Sequence, residues 1–186
     1  MLTTRRMICG CLLLLAALGL TARAADEAST MDLAGGQLQL KAPAGWARKK
    51  PQTSIVEYEF AVPAAKGDTT DGRLTVMAAG GGVEANIDRW YGQFTQPDGG
   101  NTRERAKVKQ IKAGGQDVHL VDISGTFKDQ RGPMAPAVER PKYRMLAAII
   151  ATKTAGNYFI KLYGPEHTIA DQEKAFVSMI EGLAHK

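Results

Sequence analysis

The chain has little of the side-chain chemistry that enzymes commonly use. Two cysteines occur in its 186 residues, Cys9 and Cys11, and both lie at the start of an apolar run near the N-terminus. The remainder therefore has no disulfide, no thiol nucleophile and no cysteine ligand for a metal. Histidine is also scarce, with only His119, His167 and His185. This composition argues against catalysis and leaves packing as the source of stability.

A run of apolar residues long enough to span a membrane is also missing. Arg5 and Arg6 precede an apolar stretch at 11–20, which falls short of the roughly 20 apolar residues that a membrane span needs. The stretch leads into Thr-Ala-Arg-Ala, which ends at Ala24, and the whole has the pattern of a cleavable export signal. We predict a signal peptide at residues 1–24 and a mature protein that is periplasmic or secreted, without stable membrane insertion. The sequence leaves the general and twin-arginine export routes open.

Most of the excess positive charge belongs to the predicted signal. Three of the 24 Lys and Arg residues lie in it, whereas all 19 Asp and Glu lie beyond it, so cleavage lowers the formal charge from +5 to +2. This small charge and the lack of a recognition motif argue against a nucleic-acid partner. Residues 25–186 fit a single domain with a short flexible lead-in at 25–30, because a chain of this length buries about 70% of its unfolded surface.

Hydrophobic periodicity predicts several strands and two helices. Alternation indicates half-buried strands at Ser54–Phe60 and Gly72–Ala79, with Glu57 and Glu59 on the outer face of the first. Tyr143–Ala151 is apolar at nearly every position, as expected of a central strand covered on both faces. Hairpin-connected strands with two helices favour an α+β fold with a central antiparallel sheet. The helical residues expected to face this sheet are Val83, Ile87, Trp90, Phe94, Phe176, Ile180 and Leu183.

The last helix also carries a start signal in the sequence. Thr168-x-x-Asp171 resembles a capping box, in which a side chain at each end of the motif satisfies a free backbone N–H. We therefore expect Thr168 to stand at the N-terminus of the helix.

Several segments resemble the PsbP-like group. They are Leu40–Trp46, the helix that contains Trp90, and Tyr158–Ile169 together with Phe176 and Met179–Leu183. The group includes photosystem II extrinsic subunits, the Mog import factor and exported bacterial relatives. The resemblance implies an αβα sandwich, with a central antiparallel sheet flanked by helices, that binds proteins or stabilises assemblies. The matching segments are packing signatures, so no functional residue transfers to this chain.

Few residues suggest a catalytic or metal site. Asp117 and His119 are spaced to share one strand face, but a zinc site needs three or four ligands. Ser124, His119 and Asp122 are a possible hydrolase triad that lacks a nucleophile elbow. Gly80–Gly82 before a helix suits either an anion-binding turn or an ordinary strand-to-helix turn. We predict no catalytic residue, no metal and no cofactor.

The first candidate binding feature is a basic alternation. Arg103, Arg105, Lys107 and Lys109 would place four positive charges on one face of a strand. Such a face either meets an acidic partner or protects a sheet edge from pairing with another chain.

The second candidate is a long connection between two strands, Asp129–Lys142. Connections of this length without secondary structure are often functional, and its three prolines stiffen it. Arg131 and Arg140, with the adjoining Tyr143 and Arg144, could bind carboxylate or phosphate groups. We predict that this loop is the main recognition surface for an envelope protein or an anionic ligand. The alternative is that it merely covers a sheet edge.

Three functions therefore remain open from the sequence. The favoured one is an exported, non-catalytic binding or assembly module of the cell envelope. The next is a small-ligand carrier with an apolar pocket bounded by Trp46, Trp90 and the long loop. The last is a hydrolase. The sequence determines neither the partner nor the oligomeric state.

Overall fold

The structure, a computed structural model, describes residues 29–130 and 136–186. These residues form eleven strands, three α-helices and one 3-10 turn at Ala34–Gly36. The strands are β1 Thr30–Leu33, β2 Leu38–Lys41, β3 Ala47–Lys49, β4 Tyr58–Val62, β5 Gly72–Ala79, β6 Phe94–Thr95, β7 Lys107–Ala113, β8 Gln116–Asp129, β9 Val138–Ala151, β10 Asn157–Pro165 and β11 Ala184–His185. The helices are α1 Val83–Tyr91, α2 Thr102–Arg105 and α3 Glu166–Glu181. The predicted signal peptide and its cleavage site lie outside the described residues.

The main sheet contains eight strands, and all of its pairs are antiparallel. Their order is β3-β4-β5-β10-β9-β8-β6, and β7 also pairs with β8. The predicted α+β class with a mostly antiparallel sheet is therefore confirmed. Within 29–130 and 136–186, no helix is long and apolar enough to cross a membrane.

Strand β9 lies in the interior of the main sheet. All six residues from Met145 to Ile150 are buried, as the continuous apolar run predicts. Alternation sends Met145 and Ile149 to one face and Leu146 and Ile150 to the other, where they join two separate hydrophobic clusters.

α3 packs against one face of the main sheet, and α1 packs against part of the other face. On one face, Ile169, Phe176 and Ile180 of α3 are buried in the same cluster as Leu146. On the opposite face, Ile87 and Trp90 of α1 are buried with residues of β8, β9 and β10. Trp90 meets Phe159 edge to face, with ring centroids 5.8 Å apart. The predicted core residues Ile87, Trp90, Phe94, Phe176, Ile180 and Leu183 are all buried, and Val83 is half-buried.

A second, three-stranded sheet of order β1-β2-β11 packs beside the α3 face. Its apolar side chains Met31, Leu33, Leu38 and Leu40 are buried in the cluster that contains α3. This sheet was not expected from the sequence, because it joins the two ends of the described chain through β2.

The N-terminus of α3 is capped from a distant loop. The helix begins at Glu166, so Thr168 lies inside its first turn and the predicted capping box with Asp171 is wrong. The carboxylate of Asp68 accepts hydrogen bonds from the Thr168 N–H at 2.9 Å and from its hydroxyl at 2.6 Å. An anion at this position also suits the positive end of the helix dipole.

Candidate functional site

The predicted basic alternation does not lie on one strand. Arg103 and Arg105 belong to the short helix α2, because the side chain of Asn101 caps the Arg103 N–H at 3.0 Å and starts a helical turn. Arg103 binds Asp88 at 2.5 Å, and Arg105 pairs with Asp98. Both guanidinium groups therefore have carboxylate partners, and the prediction of four cations on one strand face is wrong.

Lys107 and Lys109 do share one face, at the edge strand β7. They line a groove of about 260 Å³ between β7 and α3, and the helix side of this groove carries Glu173 and Glu181. The groove has mixed charge, so the two lysines do not make a purely positive surface.

Six of the fourteen residues of the predicted Asp129–Lys142 loop, Asp129 and residues 138–142, belong to strands. β8 continues to Asp129 and β9 begins at Val138, so the connection between them is residues 130–137. The two strands change register between Gly125 and Phe127, and Lys142, on the facing strand, has φ 56°. The predicted loop is therefore too long, because residues 138–142 contain one apolar side chain, Val138, apart from Pro141 and lack the alternation that predicts a strand.

The three predicted residues here that the structure describes all have a structural partner, and two of them, Tyr143 and Arg144, are held closely. Arg144 binds both carboxylate oxygens of Asp122, at 2.8 and 2.9 Å, and Glu173 of α3 at 2.7 Å. Its side chain is only 12% exposed, so it ties β8, β9 and α3 together. The ring of Tyr143 stacks on Phe127, with centroids 6.2 Å apart.

Arg140 and Arg131 differ from these two residues. Arg140 lies 3.5 Å from Asp129 across the hairpin and is more exposed than Arg144. Arg131 lies outside the described residues, and its role stays a prediction.

The residues considered for catalysis are not brought together. His119 is three residues from Asp122 and five from Ser124 on the extended strand β8, so His119 points to the opposite face from both. Asp122 is engaged by Arg144. The possible hydrolase triad is therefore wrong.

Asp117, considered with His119 as two possible metal ligands, is held by ordinary surface contacts. Asp117 accepts bonds from Lys112 at 2.6 Å and Gln110 at 3.1 Å, and these bonds lower the pKa of its exposed carboxyl. In the part of the chain that the structure describes, no three His, Cys, Asp or Glu residues are grouped to hold a metal ion.

Gly80–Gly82 form the turn into α1. The side-chain amide of Asn86 donates to the carbonyl of Gly82 at 2.9 Å, and Gly81 has φ 93°, which favours glycine. The segment is organised by the chain itself, as in an ordinary strand-to-helix turn.

The apolar pocket proposed between the two tryptophans does not exist. Trp46 lies in the α3 cluster and donates to Gln172 of α3 at 2.9 Å. Trp90 lies in the α1 cluster on the opposite face of the sheet. The sheet separates them, so they cannot line one pocket.

A cavity of about 600 Å³ lies instead on the α1 face, beside the part of the sheet that α1 leaves uncovered. Its walls come from β4, β5, β10, the outer end of β8 and the segment just after α1. The segment before β4 contributes Ile55 and Val56, and Ala137, just before β9, completes the rim. The predicted loop region therefore contributes to the site, through its strand ends.

An arginine network forms one wall of this cavity. Arg73 on β5 donates to both oxygens of Glu59 on β4, at 2.9 and 2.8 Å, and to the hydroxyl of Tyr163 on β10 at 2.5 Å. Glu59 is only 8% exposed and neutralises the guanidinium charge. Burial raises the pKa of the Tyr163 hydroxyl, so it stays protonated at neutral pH.

Lys161 lies between these groups and Trp90. It is opposite Thr75 in the register of β10 with β5, two residues before Tyr163 on the same face. Its amine donates to the side-chain oxygen of Gln93 at 2.8 Å and lies 5.6 Å from the centre of the Trp90 ring. Within residues 29–130 and 136–186, Lys161 has no carboxylate partner.

The surroundings of Lys161 weaken its hold on a proton. Burial lowers the pKa of its amine to about 8, and the nearby charge of Arg73 acts in the same direction. The amine is therefore mostly protonated at neutral pH, and a positive charge without a facing carboxylate lies in the cavity wall.

Sequence reasoning missed this site for two reasons. Alternation placed Glu59 on the solvent side of its strand, whereas the side chain is buried against Arg73. Lys161 lies within Tyr158–Ile169, a segment with the pattern of a packing signature and no functional motif. A usable signal was present, because Lys161 has the same parity as Phe159 and Tyr163, and two aromatic residues on one face indicate that this face is inward.

Comparison with known proteins supports the fold. No protein-family model and no curated protein matches the chain. The solution structure of cyanobacterial PsbP (CyanoP) from Synechocystis sp. PCC 6803 matches 94% of this chain and 99% of its own, with TM-score 0.50 and 12% identity. The protein of unknown function PA94 from Pseudomonas aeruginosa matches 84% and 96%, with TM-score 0.46 and 13% identity. The Ran-binding protein Mog1p of Saccharomyces cerevisiae matches 82% and 95%, with TM-score 0.44 and 10% identity.

The CyanoP match defines the class of protein by its fold. The CyanoP match covers nearly the whole of both chains, and at 12% identity it shows the fold alone. The chain has the PsbP-like fold, which confirms the resemblance seen in the sequence.

Proposed function

We propose that this protein is an exported, non-catalytic binding module of the cell envelope, built as an αβα sandwich from residues 25–186. The observation that carries the proposal is the cavity on the α1 face, with the amine of Lys161 in its wall. Export is supported by the N-terminal sequence pattern.

The cavity favours a small ligand over a purely surface-bound partner. Its volume of about 600 Å³ falls within the range of small-molecule pockets, roughly 300 to 1,000 Å³. Polar groups are concentrated around Lys161 and Arg73, whereas Ile55, Met77 and Phe127 give other parts of the wall an apolar surface. The wall is therefore of mixed character, with polar groups that can orient a small ligand and apolar side chains that can contact the rest of it.

The same groups are poorly arranged for catalysis. The guanidinium of Arg73 is already neutralised by Glu59. The hydrogen-bond partner of the Lys161 amine is an amide oxygen, which cannot take up its proton as a base would. The polar wall is therefore suited to holding a ligand.

A protein partner is the second candidate. Ile55 is 66% exposed and lies on the cavity rim, and Val138, which follows the rim residue Ala137, is 47% exposed. Two large exposed apolar side chains at the mouth would suit a partner that seats a segment there.

Methionine methyl groups offer a test that separates these candidates. Met77 lines the cavity, whereas Met31 and Met179 are buried in the α3 cluster and serve as controls. The exported protein, labelled with ¹³C at its methionine methyl groups, is titrated with an envelope extract of the producing cells. The small-molecule and macromolecular fractions are added separately, and the methyl resonances are followed by NMR.

We expect the small-molecule fraction to shift Met77 and leave Met31 and Met179 unchanged. A shift of Met77 by the macromolecular fraction alone supports the assembly module instead. If Met77 responds to neither fraction, the cavity is not the binding site.

A further inference from the structure

Two groups in the cavity wall, the Lys161 amine and the Tyr163 hydroxyl, have hydrogen-bond donors that no acceptor in the described residues takes up. The Tyr163 hydroxyl accepts a bond from Arg73, so its own proton remains available to a further acceptor. Lys161 carries three donors, and the described residues supply one acceptor, Gln93. Lys161 and Tyr163 are two residues apart on one strand face, with the amine 5.8 Å from the tyrosine ring centre.

The two carboxylates in the wall are already engaged. Both oxygens of Glu59 receive bonds from Arg73. Asp129 lies 3.5 Å from Arg140 across the β8–β9 hairpin. The lysine amine and tyrosine hydroxyl are therefore the groups that a ligand can satisfy.

We propose that the cavity binds an amphipathic oxyanion, with a carboxylate or phosphate head between Lys161 and Tyr163 and an apolar tail along Ile55, Met77 and Phe127. This proposal rests on the proposed function and specifies the chemistry of its ligand.

The positive charge of Lys161 favours a negatively charged head group on the ligand. A buried charge is costly unless it is paired, and Lys161 has no carboxylate partner in the described residues. An oxyanion supplies both the missing charge and the missing acceptor atoms. A neutral head group leaves the charge of the Lys161 ammonium unpaired, and a cationic head group is repelled by both Lys161 and Arg73.

The apolar side chains in the wall favour a ligand with an apolar tail. Ile55, Met77 and Phe127 border the same space as the amine, so a small hydrophilic anion would leave them in contact with water. A ligand that covers them gains from burial of apolar surface.

Eight-carbon probes that differ only in the head group test the proposal. The probes are octanoate, octyl phosphate, octylammonium and octanol, each kept below the concentration at which it forms micelles. The full exported protein is titrated at pH 7, and binding is followed by Trp90 fluorescence and by the Met77 methyl resonance. The variant is Lys161→Met, which removes the amine and keeps an unbranched side chain of similar length, and the matched control is Lys109→Met on the opposite face.

We expect octanoate, octyl phosphate or both to bind at least tenfold more tightly than octanol and octylammonium. Lys161→Met should weaken anion binding at least tenfold, and Lys109→Met should leave it unchanged. The tighter of the two anions identifies the head group as carboxylate or phosphate. Circular dichroism and the thermal midpoint check that Lys161→Met is folded.

A pH titration of the unaltered protein gives a test that needs no variant. Octanoate stays ionised above pH 6, so its affinity should be constant to about pH 7 and then fall as the Lys161 amine loses its proton. The loss should approach tenfold per pH unit above about pH 8. The other charged or titratable groups lining the cavity are Glu59, Arg73, Lys128, Asp129 and Tyr163, and burial moves the pKa of Tyr163 upward, away from this range.

Several results would overturn the proposal. Octylammonium or octanol binding as tightly as the anions would do so, and so would octanoate affinity that survives Lys161→Met or does not change with pH. If no probe binds while the natural small-molecule fraction still shifts Met77, the oxyanion is wrong and the proposed function stands. If neither the probes nor the extract fractions shift Met77, both are wrong.

Discussion

Asp68 and Thr168, a hundred residues apart in the chain, are joined by two hydrogen bonds to one carboxylate oxygen. The Thr168 side chain is fully buried and its hydroxyl also accepts the N–H of Ala65 at 3.0 Å. The contact fixes the β4–β5 loop to the start of α3.

Asp68→Ala should lower the free energy of unfolding by about 1 to 3 kcal/mol, because it leaves buried donors of Thr168 without a partner. Chemical denaturation measures the change. Asp171→Ala is the control, since Asp171 is exposed and takes no part in the cap. Equal losses from the two changes would show that Asp68 has no special role.

Phe176 anchors α3 to the sheet and is 1% exposed. Phe176→Ala should destabilise the protein by about 3 to 5 kcal/mol through the cavity it leaves. Urea titration tests this, with the exposed Lys174→Ala expected to change stability by less than about 0.5 kcal/mol. A loss below about 1 kcal/mol for Phe176→Ala would contradict the packing of this helix.

Arg144 is expected to stabilise the fold through its ion pairs. Arg144→Met should cost about 2 to 4 kcal/mol, because it leaves the partly buried Asp122 without its cation. Arg140→Met is the matched comparison and should cost at most about 1 kcal/mol, as expected of an exposed pair at 3.5 Å. Thermal and denaturant unfolding of both variants would decide, and the reverse order of effects would show Arg140 to be the clamp.

Lys161→Met should stabilise the unliganded protein at neutral pH by up to about 3 kcal/mol. Contact of the amine with water makes this gain smaller. Folding lowers the pKa of this amine from 10.5 to about 8. Below pH 8 the buried positive charge therefore destabilises the folded state. As pH rises from about 8 to 10.5, the unfolded chain holds the proton that the folded chain has lost, and the unaltered protein gains stability.

Denaturant titrations of both proteins from pH 6 to 10 measure this difference. The advantage of the methionine variant should be largest below pH 8 and shrink above it. A difference that is independent of pH would mean that Lys161 titrates normally.

The mature protein is predicted to begin at Ala25 and to be recovered from the soluble envelope or secreted fraction. The intact mass of protein purified from the producing cells checks this. A retained leader, or added mass from a lipid, would contradict the predicted cleavage.

Local pattern was enough to predict the elements with strong periodicity. The run from Met145 to Ile150 required a strand covered on both faces, and the spacing of Ile87 and Trp90 required an amphipathic helix. A local signal is also present at Asn101, because its spacing to Glu104 indicates a capping box and hence the helix that breaks the basic alternation.

Contacts between distant segments could not be predicted in this way. Nothing local at residues 184–185 indicates that they pair with β2, or that Asp68 rather than Asp171 caps α3. Glu59 illustrates the same limit at the site. Alternation tells which residues share a strand face, but whether that face is covered depends on Arg73 and the segments around it.

The order of strands in the main sheet determines when the cavity can form during folding. Strands β3 to β5 are consecutive hairpins, as are β7 to β10, and the two sets meet only where β5 pairs with β10. Across this junction Arg73 reaches Tyr163, 90 residues away in the chain. Contacts so distant form slowly, because the loop between them must close first. The cavity straddles the junction, so a molecule bound there would recognise only the fully joined sheet and would act mainly by slowing its separation.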